Sequence, residues 1–511
     1  MQLIYKSSMD ILTNTISLFF RPRQKKIAMF AQEADQIQRK QLQSLLSIAQ
    51  HTEWGKKHAF KSIKGYNDFS QRIPLQTYDD IKPYVIRMIN GEKNILWPSS
   101  VKWYAKSSGT TNDKSKFIPV TPEILQGCHY QGGFDTVSIY LQNRPDSCFF
   151  SRKGLILGGS HSPSPLNQNA HCGDLSAVLL QNLNPLVNLI RVPDKKIILM
   201  DEWESKIEAI VENTWKADVN SLSGVPSWML VLIKAILKKT GCQHLTEVWP
   251  NLEVFFHGGI SFEPYRDQYK ALIPSDKMQY METYNASEGF FGLQDDPTDK
   301  SMLLMLDYGT FYEFIPVNEV ESENPTILPL ESVEVDKNYA IVITTSGGLW
   351  RYLIGDTIRF TSLYPHKFVI SGRTKNYINA FGEELMVDNA DKAISTVCRL
   401  TDAKVKEYTV APLFMLNKAK GRHQWLIEFE KMPPSLNEFA TLLDQTLQQL
   451  NSDYEAKRYK EISLQPLEIL VAPEGTFYEW LRLKGKLGGQ HKIPRLSNER
   501  GFIEELQAIQ L

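Results

Sequence analysis

The segment ADVNSLSGVPSWMLVLIKAILKKTG, residues 217–241, holds one strand, one loop and one helix in a single short stretch. Its start, ADVNSL, has the composition of a short strand, and Ser223 and Gly224 follow as turn residues. Pro226 suits the first position of a helix, where an N–H would have no partner within the helix. Gly241 marks the end of the helix, where a left-handed residue is common. The segment therefore predicts the repeating unit of an α/β fold.

The same alternation of helical and strand-like segments is found from the start of the chain to about residue 375. A helical pattern over residues 26–50 is followed by short apolar runs that end in glycine or polar residues, namely KGLILGG (153–159), KKIILMD (195–201) and NLEVFFHGG (251–259). Such runs are typical of buried strands that lead into loops. We expect strands and helices to alternate here, with the loops at the strand ends carrying a site.

After residue 375 the pattern changes to two strand-like runs, a helix and a further strand. Ser435 and Glu438 have the spacing of a capping box, and Leu436, Phe439 and Leu443 fall on one helical face. This pattern predicts a small α+β domain. The sequence thus predicts a large α/β N-terminal domain (1–375), with β-sheets flanked by helices, and a smaller α+β C-terminal domain (389–511).

Composition excludes several classes of protein. The 511 residues include 57 Lys plus Arg and 58 Asp plus Glu, so the formal net charge of -1 gives no field that would recruit nucleic acid or an anionic membrane. The five cysteines are scattered and lack CxxC spacing, which argues against a disulfide framework or a zinc site and for a cytoplasmic location. Asp10 and Asn14 interrupt the apolar N-terminus, which favours an amphipathic helix over a signal peptide.

The loop KSSGTTNDKSKFIP, residues 106–119, has the composition of a phosphate-binding loop. Ser107, Ser108, Thr110 and Thr111 offer four hydroxyl donors, and Gly109 lets the backbone turn sharply. No lysine directly follows a second glycine, so the loop is not a Walker A motif. The alternative is a flexible surface loop rich in Ser and Thr.

Two further motifs place carboxylates at strand ends. In METYNASEGFFGLQ, Tyr284 precedes Glu288; an exposed carboxylate there would suit Mg²⁺, and the ring could stack on a purine. The alternative is a turn whose tyrosine is merely packed. In GGLWRYLIGDTIRF, Asp356 could accept hydrogen bonds from two neighbouring ribose hydroxyls, whereas the alternative is an ordinary Gly-Asp hairpin turn.

Two basic motifs complete the set. Arg373 in SGRTKN lies where the α/β texture ends, so it could act at a hinge, although a solvated charge run is the alternative. Lys492 in GKLGGQHKIPR follows a glycine-rich segment, and most lysines in such a tail serve only solubility.

Taken together and in this order, the motifs resemble those of the auxin-responsive acyl-acid-amido synthetases, which belong to the adenylate-forming superfamily with acyl-CoA ligases. The resemblance covers almost the whole chain, and the tail QHKIPR is its most specific element. It implies an ATP- and Mg²⁺-dependent ligase that adenylates a carboxylic acid and passes the acyl group to an amino acid. A β-barrel-like part in the large domain, a hinge at 376–388 and mobility of the small domain are further implications of this resemblance. We expect a cytoplasmic monomer without nucleic-acid or membrane partners.

The resemblance also implies a role for individual residues. Lys492 would be the mobile catalytic lysine, Glu288 would hold Mg²⁺ and Asp356 would bind the ribose. Tyr284 would lie near adenine and Arg373 near the ribose at the hinge. The remaining residues expected on ATP or AMP are Ser107, Ser108, Gly109, Thr110, Thr111, Lys116, Gly258, Gly259 and Ser287.

The acyl pocket has weaker signals. His129, Trp228 and Met229 are candidates, and ordinary core or surface positions are the alternative. Residues 158–174 hold His161 and His171 at a spacing that is unusual for a metal site, and we interpret them as a mobile loop near the substrate. Two other functions stay open: an acid:CoA ligase, which would share every nucleotide motif, and a nucleotide-binding protein without turnover.

Overall fold

The structure is a computed structural model of the whole chain. It describes residues 10–509 except 108–115, 160–164, 169, 201, 260–261, 321, 375–376, 379, 381–382, 384, 415–420, 459–463 and 486–492.

Helices surround the sheets along the whole chain. They are α1 (Ile11–Leu18), α2 (Arg21–Ala28), α3 (Phe30–Ala49), α4 (Glu53–Lys57), α5 (Tyr66–Arg72), α6 (Tyr78–Ile89), α7 (Pro122–Ile124), α8 (Gln131–Asn143), α9 (Leu175–Asn182), α10 (Lys195–Ile198), α11 (Trp203–Thr214), α12 (Pro226–Thr240), α13 (Leu245–Val248), α14 (Arg266–Leu272), α15 (Val387–Thr401), α16 (Leu436–Leu450), α17 (Ser452–Arg458), α18 (Thr476–Leu483) and α19 (Gly501–Gln507). A π-helical turn, Leu125–Tyr130, leads into α8.

The strands are concentrated in the middle of the chain. They are β1 (Trp103–Ser107), β2 (Lys116–Val120), β3 (Lys153–Ile156), β4 (Pro165–Asn167), β5 (Ala170–Gly173), β6 (Arg191–Val192), β7 (Val219–Gly224), β8 (Val254–Gly258), β9 (Gln279–Ala286), β10 (Gly289–Leu293), β11 (Met302–Leu304), β12 (Thr310–Pro316), β13 (Leu328–Pro329), β14 (Asn338–Thr345), β15 (Tyr352–Leu363), β16 (His366–Arg373), β17 (Tyr377–Ile378), β18 (Leu385–Met386), β19 (Lys404–Phe414), β20 (Gly421–Lys431) and β21 (Glu468–Ala472).

The strand, loop and helix predicted at residues 217–241 are confirmed as β7 and α12. Pro226 occupies the first turn of α12, and Gly241 ends the helix with a left-handed backbone at φ 73°. Strand β7 pairs in parallel with β3 on one side and β8 on the other. This central position explains why β7 is buried and why its carboxyl end opens toward a site.

One large sheet changes character half-way across. Its order among the described residues is β13-β12-β14-β15-β16-β11-β10-β9-β8-β7-β3-β6. From β6 to β9 the neighbours are parallel, and from β9 to β13 they are antiparallel. Strand β9 therefore lies at the boundary between an α/β half and a meander-like half, and the predicted large α/β domain is confirmed.

Two apolar cores lie in this domain. On one face of the parallel half, Leu155, Leu222 and Phe255 pack with residues of α11, α12 and α14. A larger core joins the N-terminal helices to the antiparallel half. A second sheet, β2-β1-β5-β4, lies beside the large one.

The predicted smaller α+β domain is also confirmed. Strands β19, β20 and β21 form its sheet, and the Ser435 hydroxyl accepts a hydrogen bond from the Glu438 amide at the start of α16. Helix α15, which precedes this sheet, was missed by the sequence interpretation. Its apolar residues Ala390, Ile394 and Val397 are buried on one face.

Two predictions about segments are wrong. The run at 195–201 begins with the helical turn α10 rather than a strand. Apolar residues in so short a run suit either state, and the neighbouring edge strand β6 has already ended at Val192. The predicted loop at 158–174 contains β4 and β5, because β5 gains backbone hydrogen bonds by pairing in parallel with β1. His171 lies in β5, whereas His161 lies outside the described residues.

The N-terminal segment forms two short helices where it is described. Asp10 caps α1 by accepting a hydrogen bond from the Thr13 amide. Arg23 of α2 donates to Asp135 and Asp307, which fixes this helix to the large domain. None of the described helices is long and apolar enough to cross a membrane.

A buried ion pair ties helix α5 to the antiparallel half. Both carboxylate oxygens of Glu313 accept from Arg351 Nε, at 3.1 and 2.9 Å, and Nη2 donates to Oε1 at 2.8 Å. Arg351 Nη1 also donates to the carbonyls of Ser70 and Ile73 at the end of α5. The pair is almost fully shielded from solvent.

Substitution Glu313→Ala is expected to lower the free energy of unfolding by about 3–5 kcal/mol, because it leaves the Arg351 charge buried without its partner. Denaturant unfolding measures this change. The control Glu334→Ala removes one partner of an exposed pair with Lys337 and should cost no more than about 1 kcal/mol. Equal losses in the two variants would contradict the structural role given to Arg351 and Glu313.

Candidate active site

A cavity of about 1890 Å³ opens between the large sheet and the C-terminal domain. The carboxyl ends of β7 and β8, strand β9, the middle of β15 and helix α8 contribute to its wall. From the C-terminal domain, residues of β19, β20 and α18 line it as well. This is the place where ligands bind in open α/β sheets, at a switch in strand arrangement.

A hydrogen bond between Tyr284 and Asp356 crosses this cavity wall. The Tyr284 hydroxyl donates to Asp356 Oδ2 at 2.6 Å, and the two residues are only 6% and 7% exposed to solvent. In the sheet, β10, β11 and β16 separate β9 from β15. At about 4.8 Å per strand, a flat sheet would hold these backbones roughly 19 Å apart, so the antiparallel half must curve strongly. The curvature brings two separately predicted motifs together.

Ser287 and Glu288 form the two-residue turn between β9 and β10. Gly289 pairs with Ala286 on either side of the turn. Glu288 lines the cavity but is 5% exposed, so the expectation of an exposed carboxylate is wrong. Burial and the nearby Glu288 carboxylate raise the pKa of Tyr352 at the start of β15.

Asp356 lies within a continuous strand rather than in a hairpin turn. It pairs across β15 and β16 with Arg373, whose backbone is described and whose side chain lies outside the description. Gly355, beside it, has φ 93°, a conformation that favours glycine. The structure therefore places the Asp356 and Arg373 backbones side by side, at the point where β16 ends.

Two glycines at the end of β8 allow a close approach of the backbone. A Cβ atom on Gly258 would lie 2.3 Å from the carbonyl oxygen of Thr283 in β9, so a side chain cannot fit. Gly259 has φ 85°, a left-handed conformation that favours glycine. Both glycines line the same cavity as Tyr284.

The two ends of the predicted phosphate loop are close to this wall. Ser107 ends β1, Lys116 starts β2, and the two are paired across the strands. Ser108, Gly109, Thr110 and Thr111 lie outside the described residues, as does the Ser107 side chain. Lys116 lines the cavity, and its Nζ lies 5.8 Å from the centroid of the Tyr78 ring.

The three acyl-pocket candidates have different positions. His129 lies in the π-helical turn and lines the cavity; its Nδ1 lies 2.9 Å from Asn285 Oδ1, and burial lowers its pKa to about 4. The ring is therefore neutral near pH 7 and can donate Nδ1–H to Asn285. Trp228 lines the cavity between apolar clusters of the two domains. Met229 is fully buried in the core behind the sheet and is not among the cavity-lining residues.

The C-terminal tail reaches the same cavity. Lys492 lies outside the described residues, but Ile493 and Arg495 line the cavity. Arg495 contacts Glu407, lies 4.4 Å from the centroid of the Tyr408 ring and donates to the Tyr265 hydroxyl at 3.2 Å. Since Tyr265 belongs to the large domain, Arg495 connects the two domains beside the cavity.

Sequence reasoning missed several charged residues on the cavity wall, among them Glu282 and Arg191. Glu282 lies on β9 two residues before Tyr284, and burial raises its pKa to about 7. Glu282 belongs to the motif METYNASEGFFGLQ, so the sequence did contain a signal that could have identified it. Arg191 at the sheet edge has no motif around it, so only the structure reveals it. Among the described residues, no group of three or more His, Cys, Asp or Glu side chains could hold a metal.

Solved structures match the fold of this chain over almost its whole length. The structure described as AtGH3.15 acyl acid amido synthetase in complex with 2,4-DB superposes with a TM-score of 0.77 at 18% identity, over 99% of this chain and 97% of that chain. A 2-hydroxyisobutyryl-CoA ligase in the postadenylation state has a TM-score of 0.59 at 12% identity, over 94% and 93%. At these identities the likeness concerns the fold.

Comparison of sequences identifies the family. Indole-3-acetic acid-amido synthetase GH3.3 from Arabidopsis thaliana is 25% identical, over 94% of this chain and 92% of its own length. Models of the GH3 family match in order: the N-terminal domain at residues 23–278, the central domain at 303–373 and the C-terminal domain at 388–501. The predicted resemblance is thereby confirmed. Because the N-terminal model alone spans half of the sequence and the other two follow it, the chain belongs to the GH3 family.

Proposed function

We propose that the protein is an ATP-dependent acyl-acid-amido synthetase. In the first step a carboxylate attacks the α-phosphate of ATP, giving an acyl-adenylate and pyrophosphate. In the second step the amine of an amino acid attacks the acyl carbon; AMP leaves, and the nitrogen gives up a proton. The observation that carries the proposal is the Tyr284–Asp356 hydrogen bond, because it joins two nucleotide motifs on one cavity. Relatives named amido synthetases support the same activity.

The nucleotide would lie along the curved part of the sheet. Asp356 would accept hydrogen bonds from the ribose hydroxyls, while the Tyr284 hydroxyl holds the carboxylate in place and the Tyr284 ring lies near adenine. Gly258 and Gly259 would let the ligand approach the backbone of β8. The roles of Ser287 and Arg373 toward AMP are part of the same proposal.

The phosphates would be held by the loop between β1 and β2. Its hydroxyls at 107, 108, 110 and 111, the Gly109 turn and the Lys116 ammonium group would converge on the phosphate oxygens. Glu288 fits a magnesium ion, because it is a carboxylate on the cavity wall and Mg²⁺ needs only one or two protein carboxylates when phosphates and water supply the rest. The ion would neutralise charge on the phosphates.

The C-terminal domain would bring Lys492 to the reacting phosphate. Negative charge increases there as the carboxylate oxygen approaches, and an ammonium group stabilises it. We propose rotation of residues 389–511 on 1–375 between the two steps, with 376–388 as the hinge. The polar contacts between the domains suit a reversible interface: Lys234 with Glu430 at 2.8 Å, and Tyr478 with Glu204 at 3.1 Å.

The acid would occupy the cavity beside His129 and Trp228. The neutral His129 ring, fixed by Asn285, offers a polar edge within apolar surroundings. Met229 would act only from the core behind the sheet. Closure by the C-terminal domain would limit the access of water, which would otherwise hydrolyse the adenylate.

An acid:CoA ligase is the second candidate, since it would use the same adenylation step. The observation that supports this second candidate is the fold that the chain shares with a CoA ligase. A binding protein without turnover is the third candidate. We also infer a monomer in the cytoplasm; none of the five cysteines, all of which the structure describes, is in a disulfide.

The proposed function is tested by pyrophosphate release from ATP and Mg²⁺ across a panel of carboxylic acids, with hydroxylamine present to trap an adenylate. Amino acids and CoA are then compared as acceptors by mass spectrometry of the product. Acid-dependent release with an amide product is expected. A thioester product would support the CoA ligase, and ATP binding without release for any acid would support the binding protein.

Lys492→Ala should fold and bind ATP but lower the rate of adenylation by ~10²–10³-fold, because one charge-stabilising donor is lost at the reacting phosphate. Pyrophosphate release measures the change. Lys404→Ala, which removes an exposed lysine of the same domain away from the cavity, should leave the rate unchanged. Equal rates for Lys492→Ala and the unmodified protein would contradict the role of Lys492.

Glu288→Gln should raise the Mg²⁺ concentration needed for half-maximal pyrophosphate release, because an amide is a weaker ligand than a carboxylate. The measurement is a magnesium titration at saturating ATP and acid. The control is Glu334→Gln, which changes an exposed carboxylate that pairs with Lys337. Superimposable titrations for Glu288→Gln and its control would remove the metal-binding role.

A further inference from the structure

Arg191 brings a buried positive charge to the cavity. It starts β6, the edge strand of the large sheet, and is only 5% exposed, yet it is one of the cavity-lining residues. None of the nucleotide motifs includes it. A guanidinium group stays charged in proteins even where burial lowers its pKa, as it does for Arg191. The charge therefore needs compensation by neighbouring groups or by a ligand.

The neighbouring residues compensate Arg191 only in part. Its Nε and Nη2 both donate to Asn188 Oδ1, at 2.7 and 2.5 Å. Its Nη1 is buried and has no hydrogen-bond partner among the described residues. The nearby charges are Asp194, which attracts the guanidinium, and Lys195, whose pKa is lowered by burial and by Arg191. A buried donor on a charged group that lacks a partner is costly, which favours a ligand at this point.

The space next to Arg191 is open because its sheet neighbours are small. Arg191 pairs with Gly154 of β3, which pairs with Ser221 of β7, and all three line the cavity. A Cβ atom on Gly154 would lie 2.9 Å from Ser221 Oγ, so a larger residue would crowd this end. Phe149 and Phe150 contribute apolar wall. The result is an apolar cavity with a cation, a hydroxyl and a glycine at one end.

The distance from the nucleotide motifs indicates which part of the substrate reaches Arg191. The pairing of the strands aligns Arg191 with Val254 of β8, which is three strands away. Val254 precedes Gly258 by four residues along β8. These offsets are about 14 Å across the sheet and about 13 Å along it, or roughly 19 Å between the backbones. An α-amino acid attacking the adenylate cannot place its own carboxylate so far away, whereas the far end of an elongated acid can.

We propose that Arg191 forms a subsite for a second carboxylate, at the end of the acyl substrate opposite to the carboxylate that is activated. The substrate class is then an elongated dicarboxylic acid with an apolar body, activated at one end only. This inference rests on the proposed function, because the proposed function places the acid in the cavity beside His129. Asn188 holds the guanidinium by its Nε and Nη2 edge, and a small rotation of the side chain would turn Nη1, which has no partner among the described residues, toward the ligand.

The test uses straight-chain α,ω-dicarboxylic acids, from succinic to sebacic acid, each compared with its own monomethyl ester. Calorimetry without ATP gives Kd, and acid-dependent pyrophosphate release with hydroxylamine gives kcat and KM. At the best chain length, the full-length protein should bind the diacid ~10- to 100-fold more tightly than the ester, as expected for a charge-assisted hydrogen bond. The difference should appear in Kd and KM, with little change in kcat.

Arg191→Gln should bind diacid and ester about equally. Arg152→Gln is the matched control, since it removes a guanidinium that contacts Asp218 outside the cavity, and it should keep the preference. Arg191→Lys retains the charge and should keep part of the preference, which covers the case in which Arg191→Gln does not fold.

Each outcome has a distinct meaning. Equal Kd values for diacid and ester in the unmodified protein at every chain length would overturn the subsite, and so would a preference that survives in Arg191→Gln. Pyrophosphate release with equal kcat/KM for both members of every pair would overturn the subsite while supporting the proposed function. A preference in binding without any pyrophosphate release would support the subsite and count against the proposed function.

Discussion

The hydrogen bond from Tyr284 to Asp356 fixes the curvature on which the candidate site depends. The two residues belong to strands that are four positions apart in the sheet, yet their side-chain oxygens lie 2.6 Å from one another. Because both side chains are buried, loss of either partner would remove a hydrogen bond from a polar group that is shielded from water. The bond therefore couples the shape of the antiparallel half to the position of the carboxylate that we assign to ribose.

The change from parallel to antiparallel pairing at β9 gives this bond its functional meaning. The parallel half delivers Gly258 at a strand end, as α/β sheets commonly do for ligands. The antiparallel half returns Asp356 to the same wall, and the C-terminal domain closes the cavity through residues such as Arg495. We propose that Lys492 and the nucleotide site on this wall act in turn, as a two-step ligase requires. The same wall continues to Arg191, so one cavity can hold both the nucleotide and a long acid.

Local signals explain most of what the sequence predicted correctly. Pro226 and Gly241 define the ends of α12 by backbone constraints that need no partner, and the confirmed helix shows this. The run at 195–201 carries no such constraint, and its interpretation as a strand was wrong. Glu288 was expected to be an exposed carboxylate at a strand end, but its burial results from tertiary packing that the local motif does not show. The position of the Arg191 Nη1 atom, which has no hydrogen-bond partner in the described part of the chain, likewise results from tertiary packing that no spacing encodes. The roles assigned to the motif residues stay predictions.

The most direct test is a crystal structure with a non-hydrolysable acyl-adenylate analogue, an acyl-sulfamoyl adenosine. The account predicts that the adenosine lies in the cavity between β9 and β15, with both ribose hydroxyls within hydrogen-bond distance of the Asp356 carboxylate and the Tyr284–Asp356 bond intact. A nucleoside bound away from Asp356, or one whose entry breaks that bond, would contradict the account.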